Sequence, residues 1–372
     1  MFVQEKVTIV GGGNGGFTAA ADLAVKGHRV CLFELPQFAK SLDEVRAKGG
    51  IDLETLPSSG CKSGFASLEL ITSDAREAMA FGDIILVIVP SYGVEAMAKK
   101  LAPYVEDRHI ITLAPPNFGG ALFFHKVLME NGCPVDIPIC EFDTMPYAVR
   151  KTSPSSVWLR GFKLQLGFSC FPSSRIGDRF ERCSHLYDLV LRKNELHTCL
   201  NNTNNTLHVG IMLCNVAAIE AKEKKLFYRE CFSPGAGKLV DAMLRERDSV
   251  NTLEGVNVLT IEELHRIWYK HQGVHGETMY EIMHGLEHFQ WSPLPDSLGY
   301  RYLSEDVPYG LIPLSQFLAQ YGLPHHAIDT AIDFSCIVTG NDYYANARTL
   351  KDCGIEGLTF KEYTDYITYG TY

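Results

Sequence analysis

Short apolar runs and amphipathic stretches alternate through the first half of the chain. The runs lack a regular alternation of apolar and polar residues, which is typical of parallel strands that helices cover on both faces. Predicted strands are 6–10 (KVTIV), 29–33 (RVCLF), 84–89 (IILVIV), 109–113 (HIITL) and 137–142 (IPICEF). Predicted helices between them are 17–26, 41–47, 94–101 and 121–130. This order predicts an α/β domain with a doubly wound sheet of the Rossmann type, which the runs 157–160 and 163–168 are expected to extend in the antiparallel direction.

The second half of the chain has a different pattern. From about residue 178 the strand-like runs fade, and helices are predicted at 206–224, 261–271, 312–321 and 327–338. A chain of 372 residues exceeds the roughly 250–300 residues that one core usually serves, so a second domain is expected. We predict a dinucleotide-binding domain at 1–200 and an all-α substrate and catalytic domain at 201–372. The polar tract NNTNN at 201–205 divides them and is expected to cap the helix that carries His208.

The composition of the chain argues against several classes of function. The 34 basic and 44 acidic residues give a formal charge of −10, which disfavours binding to nucleic acid. The 11 cysteines form no CxxC pair, which is typical of reduced thiols in the cytoplasm rather than of a disulfide framework. The sequence shows no signal-like leader and no apolar run near the roughly 18 residues of a membrane span. The expectation is a cytoplasmic protein without a membrane or nucleic-acid partner.

A glycine-rich loop joins the first predicted strand to the first predicted helix. Its sequence is GGGNGG, and Gly11, Gly13 and Gly16 form the pattern GxGxxG, with Asn14 and Gly15 completing the loop. In this context the first glycine permits a tight turn, the second admits a pyrophosphate close to the backbone, and the third lets helix and strand pack. The amides at the helix N-terminus then bind the anion, so the loop predicts a dinucleotide site.

The end of the second predicted strand indicates which dinucleotide binds. Glu34 lies 18 residues after Gly16, where a carboxylate can accept hydrogen bonds from both hydroxyls of the adenosine ribose. This position favours NAD, because the 2′-phosphate of NADP would meet a negative charge. NADP stays possible, since Arg46 or Lys48 is close enough in the sequence to accommodate that phosphate.

Two further strand ends carry candidate ligand contacts. Pro90 follows the third of the predicted parallel strands, and Asn117 lies in the segment PPNFGG after the next one. Doubly wound sheets bind ligands at the carboxyl ends of their strands. We therefore assign Pro90 to the cofactor side and Asn117 to the side of the nicotinamide and the substrate, although proline and glycine at these places also simply end strands.

Hydride transfer to a substrate also needs a group that moves protons near neutral pH, and histidine is the usual one. His208 lies in the first turns of the long helix after the domain boundary, and Asp306 could hold its second ring nitrogen. From the residues alone, a histidine on a helix is more often structural than catalytic. Tyr228 and other aromatic residues of this half could shape a pocket or fill a core.

A metal enzyme is a weaker alternative. His271 and His275 are four residues apart, as are His284 and His288, and such pairs can bind zinc from one helix face. A glycine interrupts each pair, and no acidic pattern completes a site. We predict no metal.

Five segments resemble the octopine/nopaline dehydrogenase family, the opine dehydrogenases, and they follow in the family's order through nearly the whole chain. The segments are GGGNGG at 11–16, EFDTMPYAVR at 141–150, NNTNNTLH at 201–208, RYLSEDVPYGLIPLS at 301–315 and GIEGLT at 354–359. Two features depart from the family: Val209 stands where a proline is common, and PPNF at 115–118 replaces a loop with glycine and arginine.

The resemblance implies roles for individual residues. His208 and Asp306 correspond to a catalytic dyad, and Arg301 to a residue that reaches the cofactor pyrophosphate when the domains close. Glu141 and Thr144 correspond to the substrate side of the first domain. There the carboxylate would hold an amino or guanidinium group, and the hydroxyl would hold a carboxylate oxygen.

The resemblance thus predicts an NAD(P)H-dependent oxidoreductase that condenses an amino acid or amine with a 2-oxo acid and reduces the imine. Two alternatives stay open: a simple 2-oxo acid reductase resembling ketopantoate reductase, and a nucleotide-sensing protein without turnover. The sequence leaves open the identity of both substrates, the physiological direction and the oligomeric state, with a homodimer as one possibility.

Overall fold

The structure is a computed structural model, and it describes residues 2–371. Its contacts divide the chain into two compact units. The N-terminal unit comprises the chain through Pro116, then Gly120–Thr198, and finally Tyr366–Thr371 near the end of the chain. The C-terminal unit comprises Asn117–Gly119 and Cys199–Asp365. Each unit is described separately below.

The N-terminal unit contains twelve described strands and the first helices. The strands are Lys6–Val10 (β1), Arg29–Phe33 (β2), Gly50–Thr55 (β3), Gly64–Ser67 (β4), Leu70–Thr72 (β5), Ile84–Val87 (β6), Ile110–Leu113 (β7), Ile139–Phe142 (β8), Tyr147–Ser153 (β9), Ser156–Phe162 (β10), Leu166–Phe171 (β11) and Leu189–Leu191 (β12). The helices are Asn14–Val25 (α1), Asp43–Lys48 (α2), Ala75–Phe81 (α3), Val94–Leu101 (α4), Gly120–Glu130 (α5), Arg179–Ser184 (α6) and Glu195–Cys199 (α7), which ends at the boundary between the units.

Eight of these strands form the main sheet, in the order β12-β11-β8-β7-β6-β1-β2-β5. All neighbours are parallel except β8 and β11, which are antiparallel. The order reverses direction at β1, where β2 lies on one side and β6 on the other. The predicted doubly wound α/β fold is confirmed, and the carboxyl end of β1 lies at the switch point where such sheets bind ligands.

The predicted extension of this sheet is half right. The strand β11 does join it, with Ser169 opposite Glu141 of β8. The run at 157–160 does not: it lies in β10, which pairs with β3 and β9 in a separate sheet of order β4-β3-β10-β9. The sequence prediction missed β3, β4 and β9, because their residues are only partly buried and their apolar signal is weak.

The helix α1 packs against strands of both sheets, and residues 15–23 are all buried. Its alanines therefore face protein on every side, which explains why the segment has no amphipathic pattern. A helix that fits between two sheets needs small side chains, and the Ala-rich sequence provides them. The glycine loop before α1 is held in place by this packing.

The C-terminal unit is largely helical, as predicted. Its helices are Asn204–Leu213 (α8), Val216–Glu220 (α9), Pro234–Asp248 (α10), Ile261–Trp268 (α11), Met279–Gly285 (α12), Arg301–Ser304 (α13), Ile312–Gln320 (α14), His326–Thr339 (α15) and Phe360–Tyr369 (α16), whose last residues group with the N-terminal unit. A π-helical turn, Val307–Leu311, joins α13 to α14. In the part of the chain that the structure describes, none of the helices combines the length and apolarity that a bilayer span requires.

The single helix predicted at 206–224 is wrong, because the chain breaks between α8 and α9. Asn215 lies at the break, and its amide donates to the carbonyls of Ile211 and Cys231, at 2.8 Å each. An asparagine side chain that bonds backbone groups in this way competes with the helical hydrogen bonds. The contact with Cys231 is distant in sequence, so the helical pattern alone did not reveal the break.

Candidate active site

The glycine loop has the geometry that a pyrophosphate requires. Gly11 has φ +123°, and a Cβ there would lie 2.3 Å from the Ile88 carbonyl oxygen. A Cβ on Gly16 would lie 1.8 Å from the carbonyl oxygen of Gly11. Around Gly13, by contrast, no atom of the described residues lies within 4 Å of such a Cβ. The backbone is therefore closely packed on the protein side and open at Gly13.

The first turn of α1 lies directly after Gly13. Within the described chain no side chain caps this helix, and no acidic residue occupies its first turn. Its terminal amides and positive dipole end are thus available to an anion. The Oδ1 atom of Asn14 accepts a hydrogen bond from the Lys151 amide at 2.7 Å, so this side chain ties the helix start to β9.

Glu34 lies beside the same loop, at the end of β2. Its Oε2 atom accepts from the Gly12 amide and its Oε1 atom from the Leu35 amide, both at 2.7 Å. The two bonds fix the carboxylate and leave lone pairs on both oxygens for further donors. Ser41 is close by: a Cβ on Gly12 would lie 2.9 Å from its Oγ atom, which is buried without a hydrogen-bond partner in residues 2–371. The arrangement fits a ribose that donates to Glu34.

The two other predicted contacts at strand ends have different surroundings. Pro90 is half-buried and precedes a short 3-10 turn at Ser91–Gly93. Asn117 is buried with φ +52°, and its Oδ1 atom accepts a hydrogen bond from the Asn202 amide. Contacts group Asn117 with the C-terminal unit, although it follows a strand of the N-terminal one.

The predicted substrate residues Glu141 and Thr144 are both buried. Glu141 lies on β8, and its carboxyl accepts hydrogen bonds from the Thr198 hydroxyl and, at 3.2 Å, from the Ala121 amide. Burial raises the pKa of the Glu141 carboxyl well above its usual range, and the negative charge of Glu195 raises it further. This environment favours the protonated form of Glu141, and a cation in contact with the carboxyl would favour the ionised form.

His208 and Asp306 lie together in the C-terminal unit. His208 Nδ1 is 2.7 Å from Asp306 Oδ2, although 98 residues separate the two in sequence. His208 is in the second turn of α8, and Asp306 lies between α13 and the π-helical turn. Both are buried. An ionised carboxylate only accepts hydrogen bonds, so beside an ionised Asp306 the Nδ1 atom is the donor, and in a neutral imidazole Nε2 is the acceptor.

Two tyrosines complete the surroundings of the imidazole. The hydroxyl of Tyr228 is 2.8 Å from His208 Nε2, and the ring of Tyr302 stacks on the imidazole with centroids 3.7 Å apart. Sequence reasoning had left Tyr228 among several aromatic candidates, and Tyr302 was quoted only inside a family segment. A contact between residues 208 and 228 has no local signal, because it depends on how the segment after α9 folds back.

Arg301 lies at the start of α13, close in sequence to Asp306. Its Nε atom is 3.0 Å from Glu305 Oε2, and its side chain is 44% exposed. Arg301 thus forms an ion pair with Glu305. The exposed part of the guanidinium still allows a phosphate contact, which stays a prediction.

The histidine pairs considered for zinc lie in a different environment. The ring nitrogens of His284 are within hydrogen-bond distance of the Tyr280 carbonyl at 2.7 Å and the Arg229 carbonyl at 2.9 Å. His288 is fully buried against the rings of Tyr269 and Phe289. No group of three or more metal-binding side chains occurs in the described part of the chain.

Comparison with known proteins gives the family. The alpha-helical domain of NAD/NADP octopine/nopaline dehydrogenase matches residues 191–339, and the N-terminus of NAD-dependent glycerol-3-phosphate dehydrogenase matches residues 6–115. An opine dehydrogenase of Arthrobacter sp. (strain 1C) is 32% identical over 361 residues, 96% of this chain and 98% of that protein. The chain belongs to the opine dehydrogenase family. It is an NAD(P)-dependent oxidoreductase that acts on the CH–NH group, and the predicted family, fold and enzyme class are confirmed.

Solved opine dehydrogenases share the fold. A structure of octopine dehydrogenase with NADH and L-arginine has a TM-score of 0.77 at 20% identity and covers 99% of both chains. Another, with NADH and pyruvate, has a TM-score of 0.76 at 20% identity and the same coverage. The likeness extends over both the sheet-containing and the helical parts.

Proposed function

We propose that this opine dehydrogenase uses NADH to condense an amino acid with a 2-oxo acid and to reduce the resulting imine to a secondary amine. The observation that carries the proposal is the buried pair of His208 and Asp306, at 2.7 Å, in a helical unit that matches the family. This pair supplies the proton transfers that distinguish a condensation from simple nucleotide binding.

NADH, when bound, supplies the hydride. We assign its pyrophosphate to the amides after Gly13 and its adenosine ribose to Glu34, whose carboxylate is already fixed by the Gly12 amide. The carboxylate disfavours a 2′-phosphate. Arg46, which could have compensated, interacts with Asp43 and with Ser73 at 3.0 Å. These contacts support NAD over NADP.

His208 has two tasks in the proposed reaction. An amino acid enters as an ammonium ion, so its nitrogen must lose a proton before it can attack the carbonyl carbon of the oxo acid. The resulting carbinolamine must then receive a proton on its hydroxyl, which leaves as water. An imidazole near neutral pH performs both steps, and the Asp306 carboxylate stabilises the imidazolium that forms between them.

The remaining candidate residues are assigned to the two substrate classes and to the cofactor. Octopine dehydrogenase binds L-arginine and pyruvate in the solved structures, which supports an amino acid and a 2-oxo acid as the two substrate classes here. We assign Glu141 to the amino group or guanidinium of the donor, with Thr144 and Asn117 on the carboxylate side. Arg301 is assigned to the cofactor pyrophosphate. A cation at Glu141 would ionise its otherwise protonated carboxyl.

The test is a screen of NADH oxidation with pyruvate, glyoxylate and 2-oxoglutarate, each with and without the twenty amino acids. We expect turnover only when both substrates are present, and the His208→Ala variant should bind NADH normally but lose about 10²-fold or more in kcat. The His326→Ala variant, which changes an exposed histidine, is the control. Oxidation of NADH by an oxo acid alone would favour the simple reductase instead.

A further inference from the structure

We propose that Tyr228 is a further catalytic residue of this reaction, and that its hydroxyl carries the proton between His208 Nε2 and the substrate. The inference rests on the proposed function, because it concerns the same proton transfers. It goes beyond the His208–Asp306 pair in naming the group that touches the substrate nitrogen and oxygen.

The first observation is the direction of the hydrogen bonds. With Asp306 ionised and the imidazole neutral, His208 Nδ1 donates to Asp306 Oδ2 at 2.7 Å, and Nε2 is left as an acceptor. In that tautomer the Tyr228 hydroxyl, 2.8 Å from Nε2, is the donor to it. The atom that would accept a proton from the substrate is thus already bonded to a phenol. A proton reaches His208 through the Tyr228 oxygen or after Tyr228 has moved away.

The second observation is that Tyr228 is firmly packed. Its ring contacts those of Phe227 and Phe289, with centroids 4.8 and 4.6 Å apart, and only 7% of the residue is exposed. The imidazole is held as well, by Tyr302 on its face and by Phe227, whose ring centroid is 6.0 Å away. Rotating Tyr228 out of the way would expose several aromatic rings, so transfer through the hydroxyl is favoured.

The proton balance of the relay is simple. In the first transfer the substrate ammonium gives a proton to the Tyr228 oxygen, while the phenol proton moves to His208 Nε2 and forms the imidazolium. In the second transfer the imidazolium returns a proton to the Tyr228 oxygen, and the phenol proton moves to the carbinolamine hydroxyl, whose C–O bond breaks to release water. Tyr228 is neutral before and after each transfer.

The environment of Tyr228 explains why both protons move together. Burial raises the pKa of Tyr228 well above its usual range, and the nearby Tyr302 and Asp306 raise it further. A free phenolate is therefore strongly disfavoured. The hydroxyl acts as a bridge whose two bonds exchange in one event, rather than as an independent acid.

The test is Tyr228→Phe in the full-length enzyme with NADH and the substrates that the screen identifies. We expect the Kd for NADH to stay within about twofold and kcat to fall by about 10² or more, the range of general acid–base contributions. In mixtures of H₂O and D₂O, the wild-type rate should depend on deuterium content with the curvature of two moving protons. The residual rate of the Tyr228→Phe variant should show the dependence expected for one moving proton.

Tyr269→Phe is the matched control. Tyr269 is also buried and packs on the same Phe289 ring, with centroids 6.1 Å apart, so removing its hydroxyl tests the general effect on this aromatic cluster. A Tyr228→Phe variant with kcat within about threefold of the wild type would overturn the relay and show Tyr228 to be packing only. A fall in kcat with an unchanged isotope dependence would also overturn it.

A second variant covers the case in which Tyr228→Phe does not fold. Incorporating 3-fluorotyrosine at position 228 keeps the ring and hydroxyl but makes the phenol more acidic. We expect kcat to change, because the relay moves the phenol proton, and an unchanged kcat would count against the relay. Loss of activity in His208→Ala, together with full activity in Tyr228→Phe, would leave the proposed function intact and remove only this inference.

Discussion

At the scale of single residues, the chemistry depends on buried groups whose charge is controlled by their neighbours. His208 is placed between an acid and a phenol, at 2.7 and 2.8 Å. Burial and the charge of Glu195 raise the pKa of the Glu141 carboxyl. The neighbours of each side chain thus set the hydrogen bonds and charges around it before any substrate binds, as general acid–base chemistry requires.

Replacing Asp306 by Asn should separate catalysis from binding. The amide keeps the size of the side chain but cannot stabilise the imidazolium, so we expect kcat to fall by about 10²-fold or more. The Kd for NADH should not change, because this residue lies in the helical unit and touches His208. Stopped-flow turnover and fluorescence titration of NADH measure the two quantities. A variant with wild-type kcat would remove Asp306 from the proposed mechanism.

The raised pKa of Glu141 predicts how stability depends on pH. The folded protein retains this proton above pH 4.5, where the unfolded chain has released it, so the site's contribution to stability declines as pH rises from there. One proton corresponds to about 1.4 kcal/mol per pH unit. Glu141→Gln should therefore gain stability relative to the wild type as the pH rises above 4.5, as measured by urea unfolding. A constant difference over this range would contradict the assignment.

At the scale of elements, the three GxGxxG glycines at the junction of β1, the glycine loop and α1 comprise one open and two closed positions. Gly11 and Gly16 are enclosed by backbone atoms, whereas Gly13 has open space around it. The open position lies where the uncapped N-terminus of α1 begins. The same loop thus serves both packing and anion binding, and the two roles belong to different glycines.

Two alanine variants should separate these roles. Gly16→Ala places a Cβ 1.8 Å from the Gly11 carbonyl oxygen and should destabilise the fold by about 3 kcal/mol. Gly13→Ala should change the free energy of unfolding by less than about 0.5 kcal/mol but raise the Kd for NADH by about tenfold, because the methyl group occupies the space beside the amides. Chemical denaturation and NADH titration measure both effects. Normal NADH affinity in Gly13→Ala would place the pyrophosphate elsewhere.

At the scale of the whole molecule, the division into units does not follow the order of the chain. The last residues, Tyr366–Thr371, group with the N-terminal unit, and Asn117–Gly119 group with the C-terminal one. The ring of Tyr366 packs on Phe171 of β11, with centroids 5.0 Å apart. The segment Tyr366–Thr371 therefore packs on the unit that carries the nucleotide loop.

Removing the contact between the rings of Tyr366 and Phe171 should lower the stability of the N-terminal unit. Tyr366→Ala removes the ring on Phe171 and is expected to lower the free energy of unfolding by about 1–3 kcal/mol. Tyr369→Ala, at a position 63% exposed, is the control and should stay within about 0.5 kcal/mol of the wild type. Thermal unfolding with and without NADH measures the effect. Equal stability of the two variants would show that the contact with Phe171 is not important.

Much of this protein could be predicted from local pattern. The bounds of β1 and β2 agree with the apolar runs, since a buried parallel strand is a continuous run that needs no partner to be seen. The glycine loop could be recognised in the sequence, because the spacing of its glycines is what the phosphate-binding turn requires. His208 and Asp306 could be singled out from the residues, but a structural histidine was the more common interpretation there, and the family segments gave the pair its catalytic role.

The tertiary structure decided whatever depends on residues far apart in the chain. It placed β10 in the smaller sheet, broke the helix at Asn215 through a bond to Cys231, and brought the Tyr228 hydroxyl to His208 Nε2. Hydrophobic periodicity records which face of an element is buried but not which element buries it. The sequence by itself therefore determined the parallel strands of the main sheet, the nucleotide loop and the family, and only folding determined the smaller sheet and which side chains meet around the imidazole.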